Sequence, residues 1–166
     1  FSRSDVMDAL WVTVSIAVFA TAISTIVGTA AAIGFYSMKR RTSSAMTVIN
    51  NFPMMNPDIV TGISLMLLFA FMGIRRGYVT LLLAHLVFCI PYVVLAVLPK
   101  LKTMNPHLYE AALDMGATPS KALLKVVIPQ IRPGIITGAL LAFTMSLDDF
   151  AVSFFTGGTY NTLSTY

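Results

Sequence analysis

Residues 10–38 read LWVTVSIAVFATAISTIVGTAAAIGFYSM, an apolar run that contains no charged side chain. About 20 mostly apolar residues are enough for one helix to cross the hydrocarbon core of a bilayer. Three further apolar runs follow, at about residues 60–72, 79–98 and 134–155. The four runs predict an all-α fold, a polytopic bundle of membrane-spanning helices.

The composition excludes an ordinary soluble globular domain. Hydrophobic residues make up 57% of the chain and charged residues only 11%, whereas about a quarter of the residues in soluble domains are charged. The net charge is +4, but the basic residues are clustered between the apolar runs, a pattern that sets membrane topology. We therefore predict that the chain lies in a lipid membrane and binds no nucleic acid.

The sequence contains no motif of an active site or of a bound cofactor. A Walker-type phosphate loop, a nucleophile elbow and a metal-binding helix motif are all missing from it. The single cysteine, Cys89, cannot form an internal disulfide. We therefore predict a protein that is not an enzyme and that has no cofactor or metal of its own.

Lysine and arginine residues indicate the orientation in the membrane. Lys39, Arg40 and Arg41 follow the first run, and a second basic segment lies between the third and fourth runs. Because cytoplasmic loops are enriched in these residues, both segments are predicted to be cytoplasmic. Alternating spans then place Phe1 and Tyr166 on the outer side, so we expect a longer protein with at least one more span at each end.

The second apolar run reaches spanning length only if the segment from Phe52 onward also lies at membrane depth. That segment contains Pro53, Pro57 and Asp58, which predict irregular backbone. Irregular backbone is tolerated at this depth only where it is buried in protein or lines a cavity. Asp58 has two interpretations, a cap at a helix N-terminus or the inner end of a route for cations.

Small residues in the first run allow close helix packing. Gly28 with Ala32, and Ala30 with Gly34, form pairs of small residues four positions apart. Such pairs let two helix backbones approach each other closely in a membrane. They predict either packing inside the bundle or an interface with another subunit.

Two short helices are predicted between the third and fourth runs. Asn105 suits the cap of the first helix, and Gly116 suits the left-handed residue that follows its end. Thr118 and the proline after it begin the second helix in the same way, and Pro129 is predicted to end it. The two helices are therefore expected to meet at a bend at Gly116.

One face of the first short helix is a candidate contact surface. Leu108, Ala112 and Met115 fall on this face by their spacing of three and four residues. Such a face can enter a groove on a partner protein. The alternative is a loop helix that contacts only solvent, and the spacing alone does not decide between them.

Two adjacent acids lie in the fourth run, in the segment Ser146-Leu147-Asp148-Asp149-Phe150. With 1.5 Å per residue, Asp148 is roughly 21 Å along a helix that begins at Gly134. A charge at that depth costs several kcal/mol unless it is paired or hydrated, so intramembrane acids are candidates for function.

Adjacent helical residues point about 100° apart. One aspartate is therefore expected to face a pathway while the other pairs with a neighbouring helix, and Ser146 shares the face of Asp149. Carboxylates beside aromatic rings such as Phe150 suit an elongated organic cation. The alternative is a buried hydrogen-bond network without substrate contact, and His85 in the third run is expected to be an ordinary core histidine.

The cytoplasmic loop resembles a known family. Glu110, Ala111 and Ala112, then Gly116 after three residues and Pro129 further on, are similar to the EAA loop of ABC importer permeases, the binding-protein-dependent, MetI-like family. Val126 and Ile128 depart conservatively from that pattern. The resemblance implies that the loop at about residues 100–132 is a coupling segment that docks on an ATPase. Glu110 and Gly116 would be its main residues, with Ala111, Ala112, Leu108 and Met115 around them.

Within this family the chain is similar to the spermidine/putrescine permeases. That resemblance rests on the segments at residues 56–64 and 146–150 together with the loop. It implies that residues 1–166 are one transmembrane domain of the type I ABC importer fold, with about four of about six spans. It also implies a bacterial inner-membrane location, two ATPase subunits, a second permease subunit, an external solute-binding protein and a polyamine substrate.

Other functions remain open at this level. The same machinery could carry ferric iron or an anion such as a phosphonate, although an anion would favour basic residues within the spans. A secondary transporter or channel would use the aspartates as a relay and would not need the coupling loop. A membrane enzyme would need a catalytic constellation, and the sequence contains none.

Overall fold

The computed structural model describes residues 3–160 and 162–165, so Phe1 and Tyr166 lie outside the described residues. Its helices are α1 (Arg3–Ser37), α2 (Arg40–Met55), α3 (Asp58–Phe71), α4 (Tyr78–Thr103), α5 (His107–Asp114), α6 (Pro119–Ala122), α7 (Ile128–Asp148) and α8 (Ala151–Thr156). A π-helical turn, Leu123–Val127, joins α6 to α7. No strand occurs among the described residues, and the predicted all-α fold is confirmed.

Three helical segments are long and apolar enough to cross a membrane. They are Val6–Ser37 in α1, all of α4, and the continuous helix Pro119–Asp148. The pair of α2 and α3 passes the same test together, but a bend of 100° separates its two members. The four apolar runs therefore correspond to three candidate spans and one bent pair of helices.

The prediction of irregular backbone from Phe52 onward is wrong for most of that segment. Residues up to Met55 are helical, and Pro53 lies inside α2. The chain breaks only at Asn56 and Pro57, which are both extended. The break falls there because a proline forces the preceding residue out of the helical region.

Pro129 does not end the second cytoplasmic helix, contrary to the prediction. The π turn changes the hydrogen-bond register just before this proline, and the amide of Ile128 donates to the carbonyl of Leu123 five residues earlier. Pro129 then occupies the first turn of α7, a position at which proline is tolerated. Helix therefore continues without a break from Pro119 to Asp148.

The fourth run is not one helix from residue 134 to residue 155. Helix α7 ends at Asp148, Asp149 adopts an extended conformation, and α8 begins at Ala151. This elbow changes the expected position of the two aspartates, which lie at a helix end and not in the middle of a span.

Helices α1, α4 and α7 form the centre of the bundle. A Cβ atom at Gly28 of α1 would lie 2.7 Å from the Cβ of Val93 in α4, and one at Gly138 of α7 would lie 3.1 Å from the Cα of the same valine. Both helices therefore need glycine to approach α4 this closely. Gly28 thus serves internal packing, whereas Gly34 has no neighbour within 4 Å of its Cβ position.

Candidate functional site: an acid-lined cavity and a cytoplasmic loop

Three aspartates, Asp58 and the adjacent pair Asp148 and Asp149, line one cavity of about 260 Å³. Asp58 begins α3, Asp148 ends α7, and Asp149 forms the elbow before α8. The remaining lining residues are apolar: Ile59, Phe88, Met145, Phe150 and Ala151. The structure therefore brings together four of the five residues that the sequence predicts for a substrate pathway.

Close packing between α3 and α8 brings Asp58 to the elbow. A Cβ atom at Gly62, one turn after Asp58, would lie 2.9 Å from the ring of Phe155 and 3.2 Å from the carbonyl of Ala151. The absence of a side chain at Gly62 thus allows the start of α3 to lie against the start of α8.

Asp149 is committed to interactions within the protein. Its Oδ1 accepts a hydrogen bond from the Val152 amide at 3.2 Å. Its Oδ2 accepts hydrogen bonds from the amide and the hydroxyl of Ser153, at 2.7 and 2.8 Å. The side chain is only 7% exposed. Asp149 therefore caps α8 in the way that aspartate caps helix N-termini generally, by satisfying its first amides.

His85 lies behind Asp149 in the core of the bundle. Its Nδ1 atom is 2.9 Å from the Leu81 carbonyl, which can only accept a hydrogen bond, so Nδ1 is the donor. Its Nε2 atom is 3.8 Å from Oδ2 of Asp149, a distance too long for a hydrogen bond. The sequence predicts a core histidine here, but it does not reveal that this histidine faces an acid 64 positions later.

Ser146 lies inside the bundle and not on the cavity. Its side chain is 3% exposed, and its Oγ has no hydrogen-bond partner among the described residues. Ser146 is thus absent from the residues that line this cavity, and its place on the pathway stays a prediction. The elbow turns the chain immediately after Asp148.

Asp148 and Asp58 are the open acids of the cavity. Both side chains are exposed, and neither makes a hydrogen bond or an ion pair to another described residue. Asp58 lies in the first turn of α3 but makes no side-chain cap, so its interpretation as a cap has no hydrogen bond to support it. Phe150 is 54% exposed and stacks on Phe154 with ring centroids 5.9 Å apart.

The predicted coupling helix corresponds to α5, in the loop between α4 and α7. Asn105 accepts a hydrogen bond from the His107 amide at 3.0 Å, which confirms the predicted cap. The Glu110 side chain is 73% exposed, and its Oε2 lies 3.5 Å from Nδ1 of His107, whose side chain is 81% exposed. Half of the residues of α5, Glu110 among them, are exposed and therefore available to another molecule.

The predicted apolar face of α5 is divided by the fold. Leu108 and Ala112 are half-buried against the rest of the chain, whereas Met115 is 90% exposed. Ala111 is exposed next to Glu110. The surface that a partner could contact thus contains Glu110, Ala111 and Met115. Leu108 and Ala112 instead pack α5 against the rest of the chain.

Gly116 forms the predicted bend. Its φ of +84° lies in the left-handed region, which costs other residues about 1–2 kcal/mol. The Gly116 amide donates to the Leu113 carbonyl at 2.8 Å, and the Ala117 amide donates to the Ala112 carbonyl at 3.0 Å. This pair of hydrogen bonds is the Schellman motif, and it confirms the helix end and the bend predicted at this glycine.

Comparison with known proteins adds a family and several relatives. Residues 8–165 match the model of the family described as "Binding-protein-dependent transport system inner membrane component". The spermidine/putrescine transport system permease protein PotC of Haemophilus influenzae is 40% identical over 158 residues, which is 95% of this chain and 62% of the relative.

Two relatives from Escherichia coli K12 give a similar result. Its spermidine/putrescine transport system permease protein PotC is 36% identical over 98% of this chain and 62% of its own length. Its putrescine transport system permease protein PotI is 38% identical over 92% of this chain and 57% of its own length. The chain thus spans about three-fifths of the length of these relatives.

Proposed function

The chain belongs to the family of inner-membrane components of binding-protein-dependent transport systems, and from this we propose that it is the permease subunit of an ATP-driven polyamine importer. The similarity to permeases named for spermidine and putrescine supports this cargo. The observation that carries the proposal is the cavity between Asp58, Asp148 and Phe150.

The chemistry of the cavity suits a slender cation with more than one ammonium group. Asp149 is occupied by its role as a cap, so Asp58 and Asp148 supply two unpaired carboxylates. An ammonium group beside each carboxylate would form a charge-assisted hydrogen bond. Phe88 and Phe150 add aromatic surface, which attracts cations and tolerates the methylene chain between them.

The same acids disfavour an anionic cargo. A carboxylate in low-dielectric surroundings is costly unless an opposite charge compensates it. An anion in this cavity would be repelled by two carboxylates, and none of the described residues that line the cavity is a lysine or an arginine that could offset this repulsion. The charge of a ligand therefore matters more than its shape for binding at the proposed site.

We propose that α5 docks on an ATPase subunit and that the continuous helix Pro119–Asp148 carries its motion into the membrane. At 1.5 Å per residue, this helix of 30 residues is roughly 45 Å long. Its cytoplasmic end adjoins the Gly116 bend, and its other end carries Asp148. A displacement of the loop would therefore move one wall of the acid-lined cavity.

The proposed assembly contains this chain, a second permease subunit, two ATPase subunits and an external solute-binding protein. In this scheme the loaded binding protein docks on the outer side, and ATP binding by the ATPases opens the cavity outward. Hydrolysis by the ATPases then returns it to the inward-facing state. The chain itself would contribute no catalytic residue and hold no cofactor.

The test is uptake of labelled spermidine by the full-length protein in its transport complex. We expect Asp148→Asn and Asp58→Asn each to raise the KM for uptake about tenfold or more, because each removes one charge-assisted hydrogen bond. Asp8→Asn is the matched control, since Asp8 is an exposed acid at the start of α1 outside the cavity.

Two results would contradict the proposal in different ways. A parent complex that hydrolyses ATP but takes up no polyamine would show that the cargo is wrong. If Asp148→Asn, Asp58→Asn and Asp8→Asn all transport as the parent does, the cavity is not the cation site.

A further inference from the structure

A second cavity, of about 500 Å³, lies at the cytoplasmic ends of two spans and plays no part in the proposed transport route. It is located where α1 ends at Ser37, α2 begins at Arg40 and α4 approaches its end at Thr103. Its lining residues are Tyr36, Met38, Arg40, Ser43, Ser44, Thr47, Val48 and Lys102. All three helices thus contribute to one site.

The depth of this cavity matches the level of lipid phosphates. The basic residues at the ends of α1 and α4 place these ends on the cytoplasmic side. Helix α2 then runs back along α4, since Asn50 donates a hydrogen bond to the Pro91 carbonyl at 3.4 Å. Pro91 is eleven residues from Lys102, about 16 Å along the helix. The cavity is therefore at the membrane surface, and the far end of α2 lies in the hydrocarbon.

The polar part of the cavity is suited to a phosphate group. Arg40 and Lys102 reach it from different helices, and within the described ranges neither has a carboxylate oxygen within 4 Å. The hydroxyls of Ser43 and Ser44 lie beside them and make no hydrogen bond to a described group, while Thr47 donates to the Ser43 carbonyl at 2.8 Å. Two basic side chains and several hydroxyl groups thus line one cavity, and no described carboxylate pairs with the two basic side chains.

The part of the cavity nearer the membrane interior, together with the adjoining surface of α2, is suited to an acyl chain. Val48 forms part of the lining and is 66% exposed, and Phe52 and Met55 continue the same stripe of α2 with exposures of 63% and 81%. This stripe leads from the cavity toward the membrane interior. A soluble anion would use only the polar part, whereas a phospholipid would use both.

We propose that this cavity binds an anionic phospholipid of the cytoplasmic leaflet. The phosphate would lie between Arg40 and Lys102, and hydroxyls of the head group would contact Ser43 and Ser44. Basic pockets between spans on the cytoplasmic side are a recurring form of lipid recognition. Bound lipid would tie the start of α2 to α4 and so steady the broken helix pair that carries Asp58.

The test uses the purified full-length protein in nanodiscs of phosphatidylcholine, titrated with fluorescent phosphatidylglycerol. We expect saturable binding that weakens at least tenfold in the variant Arg40→Gln with Lys102→Gln. The control variant Lys121→Gln with Lys125→Gln removes the same charge on the same side outside the cavity, and its affinity should stay within twofold of the parent. If the first double variant does not fold, Arg40→Gln alone is compared with Lys121→Gln alone.

Competition with inorganic phosphate separates the two sources of this chemistry. We expect millimolar phosphate to leave lipid binding within twofold of its value without phosphate. Full displacement would assign the cavity to a soluble anion and overturn the proposal. Equal loss of lipid binding in both double variants, or loss in neither, would also overturn it.

Discussion

Two helices end near a carboxylate: α7 at the elbow formed by Asp149, and α5, which carries Glu110, at the bend formed by Gly116. Different groups stabilise these two turns. At the elbow, the Asp149 side chain is buried and accepts three hydrogen bonds. At the bend, backbone amides of Gly116 and Ala117 make the hydrogen bonds, and Glu110 is 73% exposed.

This difference separates residues that stabilise the backbone turns from residues whose side chains are free to bind a ligand or a partner. An acid whose oxygens are already used by its own chain has little capacity left for a ligand, whereas an exposed acid beside a rigid backbone turn is free to bind. By this criterion Asp148 and Glu110 are the contact residues, and Asp149 and Gly116 hold them in place. Variants at these positions test the division.

The largest expected effect comes from Asp149→Ala. It leaves the amides of Val152 and Ser153 and the Ser153 hydroxyl without their acceptor in buried surroundings. Unsatisfied buried donors cost 1–3 kcal/mol each, so we expect a loss of about 3 kcal/mol in the free energy of unfolding. The melting temperature of the purified complex measures this loss, and labelled spermidine uptake should fall with it.

Asp149→Asn is the informative companion of that variant. Its remaining oxygen can still accept the two hydrogen bonds from Ser153, so we expect a loss of only about 1 kcal/mol, because asparagine caps helices as well as aspartate does. Its KM for uptake should stay within threefold of the parent while that of Asp148→Asn rises. Equal rises in KM would show that Asp149 also binds the cation.

The second effect is smaller and concerns the loop. Gly116→Ala places a side chain at a φ of +84°, which we expect to cost about 1 kcal/mol in the free energy of unfolding. The bend would shift, so the stimulation of ATP hydrolysis by loaded binding protein should fall several-fold. Gly34→Ala is the control, because Gly34 is helical and its Cβ would meet nothing within 4 Å. Equal behaviour of the two variants would show that the bend angle is unimportant.

The features that could be predicted from sequence are those fixed by local chemistry. Apolar runs predict spans because the bilayer imposes their length. The cap at Asn105 and the turn at Gly116 could be predicted because each depends on one residue and its nearest amides. Prolines were less reliable guides: Pro57 breaks a helix, but a π turn accommodates Pro129 and α2 contains Pro53.

The site itself depends on contacts that local chemistry does not encode. No glycine or proline marks the elbow at Asp149 and Phe150, so the sequence alone predicts one straight helix there. The hydrogen bonds of Asp149 become visible only once α8 exists as a separate helix. The approach of Asp58 depends on the packing of Gly62 against α8, and that of His85 depends on the register between α4 and the elbow. The candidate residues could therefore be predicted, but their separate roles could not.

The smallest expected change in stability comes from Glu110→Ala, and this variant tests the comparison most sharply. Within the described part of the chain the exposed Glu110 side chain pairs only with His107, at 3.5 Å, and exposed substitutions of this kind change the free energy of unfolding by less than about 0.5 kcal/mol. We therefore expect an unchanged melting temperature together with a large loss of ATPase stimulation by loaded binding protein. His107→Ala is the control: if it causes the same loss, Glu110 acts through the histidine and not through a partner. If Glu110→Ala lowers the melting temperature as much as Gly116→Ala does, the exposed acid holds the loop together, and the proposed distinction between shape and contact is wrong for this segment.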